Sequence, residues 1–166
     1  LLLRENLGQI ESRGVAVDFQ LTSRRWLALD GGYQYARATV TKAGSTPYLD
    51  NWIPEVARNL ATTNLRAYRP AWGTMNLQGR VSGRQFDDAA NSLPLRGYFR
   101  LDAYTSHDFG SRFQLFAAGE NLLNRQIEVS KTPPAPPLAT PTTTLAMPRV
   151  ARVGFLLRFG RAGKLP

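Results

Sequence analysis

Apolar and polar residues change places every second position along most of the chain, the pattern of strands with one apolar and one polar face. In "VAVDFQLT", Val15, Val17, Phe19 and Leu21 fall on one side, with Ala16, Asp18, Gln20 and Thr22 on the other. Beyond Ser23-Arg24-Arg25, Leu27, Leu29, Tyr33 and Tyr35 share a face opposite Asp30 and Gln34. A third strand is predicted over Asn59 to Arg69, where Ala61, Thr63, Leu65 and Ala67 oppose Thr62, Asn64 and Arg66. A fourth covers Thr74 to Phe86, with Met75, Leu77 and Val81 against Asn76, Gln78, Arg80, Ser82 and Arg84. The fifth, Gly97 to Phe109, sets Phe99, Leu101, Ala103 and Thr105 against Arg100, Asp102, Tyr104 and Ser106. The sixth, Arg112 to Leu122, sets Phe113, Leu115 and Ala117 against Gln114 and Glu120, with Phe116 out of pattern. In the last, Ala151, Val153, Phe155, Leu157 and Phe159 alternate with Arg152, Gly154 and Arg158.

The connections alternate between short and long. Ser23-Arg24-Arg25, Pro70-Ala71-Trp72-Gly73 and Gly110-Ser111 are tight, whereas Ala43 to Arg58, Asp87 to Arg96 and Asn124 to Pro148 are long. Soluble meanders keep both ends short and their strands nearer five or six residues. Longer strands with turns at one end and long loops at the other predict an all-β, antiparallel up-and-down transmembrane barrel. An arginine on the lipid face costs roughly 2–4 kcal/mol at the bilayer midplane. The apolar rows should therefore meet lipid, and the Arg, Asp, Gln and Asn rows a wet lumen. Trp26, Trp72, Phe109, Phe113 and Phe159, near strand ends, would form an interfacial girdle.

Composition narrows this reading. The 166 residues are 43% hydrophobic, enough for a folded unit, yet no apolar run approaches the ~18 residues of a membrane helix. No cysteine is present, so disulfides and thiolate metal sites are excluded. The formal charge of +9 comes from 21 scattered Lys and Arg rather than a basic helix, which argues against nucleic acid; a basic lumen or a rim facing anionic headgroups accounts for it. His107 is the sole histidine, so no His-based metal or catalytic cluster can form within the chain. Its expected place is an interface position near a turn. Asp87-Asp88 with Asn91 lacks EF-hand spacing and reads as a solvated loop. No G-x-S-x-G elbow appears and the serines lack a base partner, so nothing supports an enzyme. "KTPPAPPLATPTTTLAMP" reads as a stiff, exposed loop. The opening "LLLREN" reads as a strand cut mid-course, and the whole as a piece.

Six segments, in order, resemble the C-terminal part of the barrel of TonB-dependent outer-membrane receptors. They are "RENLGQIESRGVAVDFQL" with Asn6, Gly8 and Arg13-Gly14, "WLALDGGYQYARATV" with Tyr33 and Tyr35, "NWIPEVARNLATTNLRAY" with Pro54, "LPLRGYFRLDAYTSHDF" with Tyr98, Leu101 and Asp102, "FQLFAAGENLLNRQ" with Glu120-Asn121-Leu122, and "MPRVARVGFLLRF". The resemblance implies that residues 1–159 are about seven strands of a barrel of about 22, with 160–166 a short tail. It also implies a bacterial outer-membrane location, no cofactor, uptake of a scarce solute such as a ferric siderophore, and coupling to TonB through a plug domain outside this chain. Phe155, Leu157 and Phe159 would carry the signal for the barrel-assembly machinery, although "GRAGKLP" follows the terminal aromatic. Loop bases and aromatics suited to an anionic chelate are Tyr48, Trp52, Arg58, Arg125 and Lys131. The alternatives are a passive porin or autotransporter-type barrel, and a soluble lipocalin-like barrel.

Overall fold

A computed structural model describes residues 8–42, 47–134 and 140–159. Its elements are β1 (Gln9–Arg24), β2 (Leu27–Lys42), β3 (Asn59–Arg69), β4 (Gly73–Ser82), β5 (Gln85–Phe86), β6 (Pro94–Leu95), β7 (Tyr98–Phe109), β8 (Phe113–Glu120), β9 (Glu128–Thr132), β10 (Thr142–Leu145) and β11 (Val150–Leu157). The main sheet has seven strands in the order β1-β2-β3-β4-β7-β8-β11, each antiparallel to its neighbour. These are the seven strands expected from the alternation. No described helix is long and apolar enough to cross a membrane, which says nothing of strands.

The register carries each face from strand to strand. One row reads Leu21, Leu29, Leu65, Leu77 and Ala103; another reads Val17, Tyr33, Ala61, Val81 and Phe99. Behind them run Gln20, Asp30, Asn64, Gln78 and Asp102. The apolar rows are open to the surroundings: Val17 is 59% exposed and Val153 75%. Among the described residues the buried apolar side chains are Val40, Ala67, Leu93, Leu95 and Ile127. All but Ala67 lie at or in the long connections. A water-soluble sheet of this composition would bury its apolar face. This one turns it outward, which is the arrangement a lipid environment stabilises.

Phe116, out of pattern in the sequence, lies on the polar side opposite Gly154. Its ring stacks on Tyr104, with centroids 6.2 Å apart and planes 24° apart, and fills the space that a Cβ on Gly154 would need, 2.5 Å from Cζ. Gly154→Ala should therefore cost about 1–3 kcal/mol through overpacking, read as a lower urea midpoint of the detergent-folded protein. Pairing it with Phe116→Leu should restore most of the loss.

Three expectations need correction. The fourth strand leaves the ladder at Ser82, where its partner β3 ends, and Gln85–Phe86 instead pairs with Pro94–Leu95. The sixth ends at Glu120 because Asn121 takes a left-handed φ of 49°. Within the segment expected to be an exposed loop, Thr142–Leu145 pairs with Glu128–Thr132. The 160–166 tail, the opening 1–7 and the loop tip 135–139 lie outside the described residues.

At the short-turn end aromatics meet in chains. Trp26 and Trp72 are edge-on at 6.5 Å, with the Arg69 guanidinium 4.4 Å above the Trp26 ring. Phe109, Phe113 and Phe155 follow at 5.6 and 6.2 Å, and His107, half-buried, lies edge-on to Phe109 at 4.6 Å. Gly73 closes its turn at φ 84°, where a Cβ would strike the Ser106 carbonyl oxygen at 1.9 Å.

Candidate functional site: the long-loop rim and the polar wall

The three long connections are joined to one another. Asn91, left-handed at φ 57°, accepts the Trp52 backbone N–H on Oδ1 at 2.8 Å and donates Nδ2 to the Trp52 carbonyl at 2.9 Å. Asn51 donates to the Ala89 carbonyl at 2.8 Å, and the Glu55 N–H to that of Phe86 at 2.7 Å. Asp88 accepts the N–H groups of Ser92 and Leu93 and the Ser92 hydroxyl. Burial pushes the Asp88 carboxyl up, but these donors outweigh it and hold it below the ordinary value. The stretch expected to be a solvated loop is thus a built turn, because Asp and Asn side chains here replace the ladder that the strands no longer supply.

Glu128 ties the second connection to the third. Its carboxylate, 7% exposed, accepts the Arg96 N–H at 2.9 Å and Nε at 2.7 Å, and faces Lys131 Nζ at 3.1 Å. Lys131 also donates Nζ to the Pro94 carbonyl and its N–H to Asp87 at 2.7 Å. Burial raises the Glu128 pKa; the Arg96 N–H, Lys131 and the Arg96 guanidinium overcome this and leave it lowered. A carboxylate with a depressed folded-state pKa stabilises above its unfolded value and loses that contribution as pH falls through the depressed value. Amide protection factors across Glu128–Thr132, the exchange rates corrected for the intrinsic pH dependence, should accordingly fall in that acid window, and in Glu128→Gln they should already be low at neutral pH with little further change on acidification.

The polar wall carries a second network. Arg100 Nε contacts Asp102 Oδ1 at 2.8 Å and its Nη2 contacts Glu120 Oε2 at 3.3 Å, while Arg152 pairs with the other Glu120 oxygen. Asp102 Oδ1 also accepts the Asn121 N–H at 2.7 Å. The Asn121 side chain donates to the carbonyls of Arg125 (2.9 Å) and Met147 (3.4 Å) and accepts the Arg125 N–H at 2.9 Å. Leu122 caps Gly119 on the outward face, where a Cβ would meet Cδ2 at 2.6 Å, and its N–H reaches the Leu101 carbonyl. Glu120-Asn121-Leu122 therefore does three jobs: ion pairing, reversal of the chain and closure of the outer surface. Nearby, a cavity of about 610 Å³ lies between Asp30, Asn64, Gln78 and Arg80 and the Ile127 and Val129 side of β9.

The five loop residues named from sequence do not share one cavity. Arg58 stacks its guanidinium 3.3 Å from the Trp52 ring centroid, and Trp52 meets Phe86 edge-on at 5.4 Å. Tyr48 is half-buried in the same connection. Lys131 is occupied by Glu128 and Pro94. Arg125 is exposed and borders an outward groove. Of the residues that organise the rim, Glu128 was missed and nothing around it in the sequence signals its role, whereas Asn91 reads there as part of a solvated loop and Asn121 as part of the Glu120-Asn121-Leu122 element. Phe155, Leu157 and Phe159 are exposed on the outward side or just beyond it.

A family model described as TonB dependent receptor-like, beta-barrel, matches residues 2–122. No curated protein sequence matches the chain significantly. Among solved structures, the ferric yersiniabactin uptake receptor FyuA from Yersinia pestis is similar over 93% of this chain and 24% of its own, at TM-score 0.83 and 18% identity. The siderophore receptor PiuA from Acinetobacter baumannii aligns over 90% and 22%, at 0.76 and 19%. BauA, the ferric preacinetobactin receptor of the same organism, aligns over 89% and 22%, at 0.69 and 23%. The chain thus spans about a quarter of the length of these receptors, and at such identities the likeness is one of fold. With the family match over most of its length and the same strand architecture, the chain belongs to the TonB-dependent receptor-like β-barrel family.

Proposed function

We propose that this chain forms part of the wall and outer rim of a bacterial outer-membrane receptor that takes up a scarce solute of the ferric siderophore class. Energy would come from TonB acting through a plug domain. The carrying observation is the inverted sheet: apolar rows outward, a charged network inward, and an apolar core confined almost wholly to the loops. That inversion disfavours the soluble lipocalin-like alternative, which needs a dry interior. The names of the similar receptors support the solute class, and a built rim with cationic and aromatic side chains suits an anionic chelate.

Within this reading Tyr48, Trp52, Arg58, Arg125 and Lys131 are the solute-contact candidates. The Arg58–Trp52 stack and the Lys131 ion pair give those residues a second role in holding the loops that present Tyr48 and Arg125. Phe155, Leu157 and Phe159 serve recognition by the barrel-assembly machinery. The test is the mobility of the native polypeptide in isolated outer membranes, detected with an antibody against residues 131–148. A band several times larger than 18.4 kDa that shifts on boiling is expected. A water-soluble band at 18.4 kDa would end the receptor reading, and a large heat-modifiable barrel with no plug sequence upstream would favour a passive pore.

A further inference from the structure

The outward surface contains an apolar groove that shares only Arg125 with the solute-contact candidates. A groove of about 700 Å³ opens where β4 and β7 reach the long-loop end, next to the connection that follows β8. Its floor includes Val81 and Phe99, which are paired across the β4–β7 ladder and lie in the outward apolar row. Leu123, 48% exposed, adds to that floor. Arg96 and Arg125 stand at its border.

The two guanidiniums differ in how far they are occupied. Arg96 spends Nε on Glu128 but remains 68% exposed, leaving its terminal nitrogens free to donate. The Arg125 backbone is held by Asn121, while its exposed guanidinium has no ion pair among the described residues. The lining of the groove holds two cations, Arg96 and Arg125, and no carboxylate; Glu128, on Arg96, offsets one of them, so the patch is net positive. An exposed apolar floor bordered by forked, charged donors matches an amphiphile whose chain lies on the floor and whose anionic head meets the forks. The position agrees. Phe99 and Val81 belong to the row nearest the long-loop end that crosses five strands, so the groove lies where hydrocarbon gives way to headgroups. Along the same outward side, Arg13 faces Arg37 one row beyond Val15 and Tyr35; Glu11 pairs with Arg13, and Arg37 has no ion pair among the described residues. Basic residues thus continue at this level beyond the groove.

We propose that this groove is a binding site for a membrane phospholipid of net negative charge, held by Arg96 and Arg125 above an apolar seat of Val81, Phe99 and Leu123. The inference rests on the barrel reading, because it requires the outward rows to lie in a bilayer. The test uses the full receptor that carries this chain, folded in vesicles of phosphatidylcholine mixed with phosphatidylglycerol. The protein is then extracted in mild detergent, and the retained lipid is counted by native mass spectrometry. The parent protein should retain phosphatidylglycerol in preference to phosphatidylcholine. Arg125→Gln, which removes no internal side-chain partner, should weaken that retention several-fold, and Arg96→Gln with Arg125→Gln by about tenfold or more, as expected for loss of charged, forked hydrogen bonds. Removing equal charge from the polar wall, with Arg66→Gln and Arg80→Gln, should leave retention unchanged. Added inorganic phosphate should not displace the lipid, since the seat contributes to holding it. Equal retention by the parent and Arg125→Gln proteins, equal loss in the wall variant, or displacement by inorganic phosphate would each overturn the proposal. Boiling-dependent mobility is scored on every sample, so a protein that never enters the membrane condemns the barrel reading, whereas one that enters without retaining lipid condemns the site alone.

Discussion

Val153→Arg is expected to abolish most membrane assembly of the receptor, while Arg152→Ala, one residue away, leaves it nearly intact. Val153 pairs with Ala117 in the outward row and is 75% exposed, so lipid is its only surrounding on that side. A guanidinium there meets hydrocarbon at roughly 2–4 kcal/mol if the position lies near the midplane. Arg152 is on the opposite face, paired with Glu120 and 62% exposed toward water. Its loss leaves Arg100 still on Glu120, and an exposed pair of this kind is worth about 0–1 kcal/mol. The measurement is the heat-modifiable fraction after folding into lipid vesicles. Equal yields for the two variants would count against the assigned faces.

The second large effect is expected at Asn121. It is 2% exposed, left-handed, and joined to Arg125 and Met147 through its amide, so it holds the start of the last long connection against its return. Asn121→Ala removes these bonds, leaves a void at a buried position, and puts a less tolerant residue at φ 49°. Together these should cost about 3 kcal/mol. Asn121→Gly, which accepts the dihedral but not the hydrogen bonds, should recover the backbone part alone. Urea unfolding of the detergent-folded receptor separates the two, and indistinguishable midpoints for the parent and Asn121→Ala proteins would refute the account.

The seven long strands, their order and their faces were legible because a period of two survives wherever one face meets lipid and the other water. Val17, Leu65 and Val153 announce their side without help from neighbours. Legibility failed where side chains replace the ladder. Nothing in "DDAANSLPL" shows that Asn91 will bind the backbone of Trp52, since that depends on a connection some 40 residues away meeting this one. β9 and β10 were hidden by prolines between them and by threonines with no apolar alternation. The candidate site was half legible for the same reason. Arg58, Trp52 and Lys131 have the chemistry expected of them, but residue type cannot reveal that a guanidinium is already lying on an indole, or that an ammonium is already held by a carboxylate.

The order of strands in the main sheet also has a kinetic consequence. Every pairing from β1 to β11 joins strands that follow one another along the main sheet, so this wall can zip up hairpin by hairpin with modest loop-closure entropy. The outer edges of β1 and β11 are the exceptions, each with one ladder unmade in this sheet. In hydrocarbon every unpaired peptide group costs several kcal/mol, so the nascent wall must stay out of the bilayer interior, or be held at its rim, until those edges find partners. The slowest event in the life of this segment is therefore the search that ends at its two margins, and variants that quicken folding should be sought there rather than in the hairpins.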